Sequence, residues 1–259
     1  VSHFARPLAL SRPGSTPLKR IGEQGRLGFV AGYMAAVPQE WQSRLGAPAI
    51  TGQCCVPIIS RTSWGPSAFA WNPGDFDRSN AVKATALMFF DANNPTLGAY
   101  EGSSQTFGGT TQMGGVALID RTRTALFIGG NGTGTFCYGN GTADKSLAGT
   151  AAADGTKYCY DPVNTDKGQH AFPYQYQVWA FDLADWAQVR EGRKDPWEVR
   201  PYGVWRLELP IPEPSARISG VAFDPQRRWL FIAQRAADRD GYAFRALINV
   251  YEVGAGDRR

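Results

Sequence analysis

Residues 219–234 read SGVAFDPQRRWLFIAQ: a short apolar strand, a polar Asp-Pro turn and a second apolar strand. Residues 114–130, GGVALIDRTRTALFIGG, echo it. In both, a Gly-Val-Ala run leads to an aspartate (Asp120, Asp224), and a Leu-Phe-Ile triplet begins six residues later at Leu126 or Leu230. Matched spacing in two copies marks a repeated unit, and a repeat decides the fold ahead of any single motif. A third, looser copy is read at residues 67–90, where SAFAW and VKATALMFF flank the polar loop NPGDFDRSN.

Working outward, strands are expected at residues 26–34 (RLGFVAGYM), 50–60, 174–183 (YQYQVWAFDL), 202–209 (YGVWRLEL) and 246–253 (ALINVYEV). Short helical turns are expected at 38–45 and at 182–190, the latter capped by Asp182. Residues 1–25 read as an extended arm or the remnant of a preceding segment, 26–253 as the folded body, and 254–259 as a polar tail. Long loops are placed at 91–112 and 131–172, both rich in Gly, Ser, Thr and Asn. Four antiparallel strands per unit describe a blade. In that scheme residues 202–209 are the innermost strand of the last blade, 246–253 its outer strand, and 174–183 the outer strand of the blade before. The middle strands are apolar on both sides, as strands covered on both faces are.

Followed by ALINVYEV, the run GVAFDPQRRWLFIAQ resembles a blade of the bacterial extracytoplasmic β-propellers of YVTN and NHL type, over residues 69–253. The resemblance implies an all-β chain of four-stranded antiparallel blades and is silent about chemistry. It lacks the Gly-His and Trp-Asp pairing of WD40 repeats, the Asp-box of sialidases and a quinone-site tryptophan motif. Three blades are visible, four if residues 29–59 contribute strands, whereas closed propellers have about four to eight. The expectation is the C-terminal part of a larger propeller, an incomplete ring completed by a partner chain, or further blades hidden in the loops.

At 259 residues the chain can bury a substantial core, and 30 Gly, 17 Pro and 19 % charged residues suit many short strands joined by turns. The net charge of +4 is small, and no stripe of Lys and Arg interleaved with aromatics suggests a nucleic-acid partner. No apolar run is long enough to cross a bilayer. Val1 is not an initiator Met and no signal peptide is recognisable, which points to a removed start or a fragment.

Cys137 and Cys159 sit in near-copies, FCY and YCY, on either side of a small-residue loop. A disulfide between them would constrain the unfolded chain by about 3 kcal/mol and imply a periplasmic, cell-surface or secreted location; two free buried thiols are the alternative. The adjacent Cys54 and Cys55 suit a vicinal disulfide, as some quinone-dependent propeller enzymes carry, or else two thiols on opposite faces of a strand or separate bridges to other partners. Asp161, Asn164 and Asp166 offer oxygens at the spacing of a calcium loop, although Lys167 stands where such loops place Gly; an Asx-rich turn is the other reading. Asp75, Asp77 and Asn80 form a weaker cluster. With only His3 and His170, a polyhistidine zinc site is hard to assemble and a catalytic base has few candidates. Asn131-Gly132-Thr133 and Asn140-Gly141-Thr142 match the glycosylation pattern but read first as tight turns. The aromatics of residues 172–186, with Trp197, Tyr202 and Trp205, read as blade core or, failing that, as a carbohydrate or aromatic-ligand groove. The functional expectation is a non-catalytic binding or assembly module with a protein partner. The alternatives are a propeller hydrolase, lyase or quinone-dependent oxidoreductase working in the central channel, and a structural subunit of a surface complex.

Overall fold

The computed structural model describes residues 20–22, 32–55, 63–79, 81–91, 93–94, 106–213 and 216–254. The arm before Arg20, His3, Asn80, residues 26–31 and 56–60 of two expected strands, residues 95–105 of the first long loop and the last five residues lie outside them. The chain is mostly β. A short β1 (Arg20–Ile21) lies parallel to β5 (Ala81–Val82). The first large sheet is the antiparallel meander of β2 (Tyr33–Ala36), β3 (Ala49–Gly52), β4 (Ala68–Trp71) and β6 (Ala84–Met88). The second is β7 (Gln112–Leu118), β8 (Thr124–Gly132), β12 (Tyr174–Asp182) and β13 (Gly203–Leu207), again in chain order. The third is β14 (Arg217–Asp224), β15 (Trp229–Asp240) and β16 (Ala243–Glu252). Two helices lie beside them as the sequence predicts, α1 (Gln39–Leu45) and α2 (Leu183–Arg190), the latter capped by Asp182 accepting from the Ala184 N–H.

The two echoing stretches take matching places in their sheets. Each forms the first hairpin of its sheet, β7–β8 and β14–β15. Each breaks register at the residue before its Gly-Val-Ala run, between Met113 and Gly115 and between Ile218 and Gly220. A shared bulge at a shared position is stronger support for a repeated unit than composition, because bulges bend a strand in a defined way. The looser copy at 67–90 differs. Its strands pair as β4 and β6, but these are the third and fourth of their sheet, not the first two. Residues 202–209 also differ from expectation: β13 closes the outer edge of the second sheet against β12, with Val204 opposite Trp179 and Arg206 opposite Gln177. Pro210 and Pro212 follow and end the strand, so the chain turns before starting the third sheet. β12 is accordingly third in its sheet rather than outermost. No closed ring is formed among the described residues.

Strict alternation explains the stacking. Along β8, Ala125 and Phe127 enter the core shared with the first sheet, while Leu126 and Ile128 enter the core shared with the third. β12 splits likewise, with Trp179 and Phe181 to one side and Val178 and Ala180 to the other. The middle sheet is therefore apolar on both faces because both are covered. Phe127 anchors the first core, meeting Tyr33, Phe181 and Trp186 edge-on at centroid distances of 5.4, 5.3 and 6.1 Å. The far face of the first sheet is covered by Ile21, Phe76 and Val82 from β1, β5 and the short turn Pro73–Asp77. The far face of the third sheet presents Trp229, Ile248 and Val250, each 40–52 % exposed.

The excursion at 131–172 is more ordered than a loop. It carries β9 (Cys137–Thr142), β10 (Tyr158–Tyr160) and β11 (Lys167–His170), with β9 central. Its Gly-rich strands have little β propensity. Glycine serves there because a side chain at Gly141 would run into the Asn164 carbonyl. The two Asn-Gly pairs are not turns: Asn131 lies in β8 and Asn140 in β9. The first is fully buried, accepting from the Thr111 hydroxyl at 2.6 Å.

Candidate functional site

The first strands of the three sheets run side by side, β7 between β2 and β14. Their close approach depends on a missing side chain: a Cβ on Gly115 would lie 2.7 Å from both the Val221 Cβ and its backbone nitrogen. Where these strands begin, a cleft of about 450 Å³ opens between Gly32, Gln112 and Arg217. Residues 109–113, Glu213, Asn164 from the excursion and Tyr174 at the start of β12 contribute to its wall. At the opposite ends of the same strands, residues 34–38, 116–120 and 221–225 border a second hollow of about 330 Å³.

The cleft is held from behind by buried polar groups. Gln234, at the end of the 219–234 stretch, is fully buried and donates to the Ile211 carbonyl at 2.6 Å and to the Tyr176 hydroxyl at 2.9 Å. The Tyr176 hydroxyl in turn donates to the Ala216 carbonyl, so the segment carrying Glu213 is tied on both sides. Burial pushes the Tyr176 phenol up to about 12. On the other wall, the Ser67 hydroxyl accepts from the Gln53 N–H at 2.9 Å and donates to its carbonyl at 2.8 Å. This clamp fixes the backbone just before the cysteine pair. Arg217 reaches across the mouth and donates to Gln112 Oε1 at 2.8 Å.

Cys54 and Cys55 are joined in a vicinal disulfide that forms part of the cleft wall, with Cys55 in the left-handed region at φ 60°. Cys137 and Cys159 are joined as well and tie β9 to β10. Both pairings follow the sequence reading. The expected calcium loop is an Asx turn. Asp161 is fully buried, and its carboxylate accepts from the Val163 and Asn164 N–H groups, the Tyr174 hydroxyl at 2.6 Å and His170 Nδ1 at 2.8 Å. Asn164 Oδ1 accepts from the Asp166 N–H. With its lone pairs given to protein donors, Asp161 has none to offer a cation. No group of three or more His, Cys, Asp or Glu gathers as metal ligands among the described residues. His170 Nε2 faces the Asp166 carbonyl at 3.0 Å, so both ring nitrogens are engaged within the fold and this histidine locks the excursion. Burial and then the bond to Asp161 push the Tyr174 phenol well above its ordinary range. Asp75 and Asp77 lie on the capped turn Pro73–Asp77, apart from the cleft. The aromatic run is core as read: Tyr176, Trp179, Phe181 and Trp186 are buried, whereas Tyr202 and Trp205 are exposed.

Sequence reasoning missed Glu213 and Arg217. Burial raises the Glu213 carboxyl to about 7, with the nearby Arg217 guanidinium pulling the other way. The signal was there in the lone acid of IPEPSAR, a charge set among prolines where the chain has to turn inward. Comparison with family models, with curated proteins and with solved structures returns no match.

Proposed function

We propose that this chain is an extracytoplasmic, propeller-like binding module, and that its recognition site is the cleft where the first strands of the three sheets begin. The carrying observation is Glu213, a half-buried carboxyl on the wall of that cleft, pushed up to about 7 and with no hydrogen bond to another described residue. A carboxyl held above its ordinary range on a cleft wall, with acceptor capacity left over, suits a ligand that supplies the partner. The propeller-like arrangement is supported by meanders in chain order, by the equivalent bulges of the two repeats and by first strands that lie side by side. The location outside the cytoplasm is supported by two disulfides.

The site is tested with a library of small polar compounds screened by ligand-observed NMR. Hits against the unmodified chain should vanish with Gln112→Trp, which narrows the mouth from an exposed position at the start of β7. Hits that persist undiminished in the variant would place binding elsewhere.

A further inference from the structure

We infer that the ligand of this cleft is a neutral polyhydroxylated molecule, a mono- or disaccharide, an inference that rests on the binding reading above. The cleft side chains are amides, hydroxyls, one acid and one base rather than a field of one sign. An anion drawn to Arg217 would be set beside the Glu213 carboxyl, and a cation drawn to Glu213 would face Arg217. A neutral ligand meets neither penalty.

The hydrogen-bonding capacity left over in the cleft is of the kind that hydroxyl groups fill. The Gln53 side-chain amide has no partner among the described residues, its backbone alone being clamped by Ser67. Gln112 gives its oxygen to Arg217 and Asn164 gives its oxygen to the Asp166 N–H, so both retain N–H donors. The Thr110 hydroxyl oxygen accepts from the Gly132 N–H at 3.1 Å and keeps its proton to donate. Glu213 supplies the acceptor. A sugar hydroxyl both donates and accepts, and a ring of them matches this mixture where a hydrocarbon or a simple ion does not. The apolar part of the wall is Met113 and the Cys54–Cys55 pair, a compact surface against which the C–H face of a pyranose can lie.

The test is calorimetric titration of the oxidised chain with maltose, cellobiose, lactose and N,N′-diacetylchitobiose, with glucuronate and glucosamine as charged controls. At least one neutral disaccharide should bind saturably. Its affinity should fall roughly tenfold with Gln112→Ala and with Gln53→Ala on the opposite wall, each costing one hydrogen bond. Both variants are checked for unchanged near-UV circular dichroism, so that loss of fold is not read as loss of contact. Saturable binding of none of the four, or tighter binding of glucuronate or glucosamine, overturns the inference. If polar fragments still occupy the cleft in that event, the ligand class fails and the binding site stands; if they do not, both fail.

Discussion

Glu213 has the most consequential environment of any side chain at the cleft. Its carboxyl titrates near 7 instead of 4.5 because burial disfavours the charged form more than Arg217 favours it. A carboxyl whose folded pKa lies above its unfolded one binds protons more tightly in the fold. The stability linked to it is therefore complete below about pH 4.5 and is lost as pH rises to about 7. Glu213→Gln removes the ionisation while keeping the shape. In urea denaturation the variant should exceed the parent by about 1–3 kcal/mol at about pH 8 and differ little at about pH 4. An equal difference at both pH values would show that the carboxyl is hydrated and unshifted. Gln234 acts one layer further back: fully buried, it ties the segment that carries Glu213 to β15.

At the scale of elements, the two copies of the hairpin make matched but unequal demands on glycine. Gly115 of β7 faces β14 so closely that a Cβ would meet Val221 backbone and side chain at 2.7 Å, whereas a Cβ on Gly220 would sit an ordinary 3.9 Å from Ala233. Gly115→Val should cost about 2–4 kcal/mol, since backbone cannot rotate out of the way, and Gly220→Ala should stay within about 1 kcal/mol. Chemical denaturation of both variants decides it, and equal costs would mean that β7 and β14 do not approach as described. The same hairpins show how far sequence reading reaches. Their strands, the turn aspartates and the two-sided apolar pattern were legible, because short-range spacing and period-2 alternation are local. Which sheet β13 joins was not. YGVWRLEL fits either edge, and the choice depends on long-range register against Trp179 and Gln177. The excursion's small sheet was hidden for another reason. Gly139 and Gly141 lower the propensity of β9, and order comes from the Cys137–Cys159 bond and the Asp161–His170 contact. Both cysteine pairs were legible, but the cleft that Cys54 and Cys55 partly border was not, since Glu213, Gln112 and Asn164 come from three separate parts of the chain.

For the whole molecule, three meanders stacked through two cores create one polar cleft at the starting ends of their first strands. The matched hairpins β7–β8 and β14–β15 account for that geometry. Equivalent hairpins bring equivalent strand ends together, and residues at those ends, free of the core, are where chemistry can vary without loss of the fold. We propose that this cleft is where the molecule meets a ligand. The most direct measurement is crystallographic: diffraction from crystals of the oxidised chain soaked in a mixture of small polar compounds. Density for a bound compound should lie between Glu213, Arg217 and Gln112. Compounds gathered in the hollow at the opposite strand ends or on the exposed face of the third sheet, with nothing beside Glu213, would contradict it.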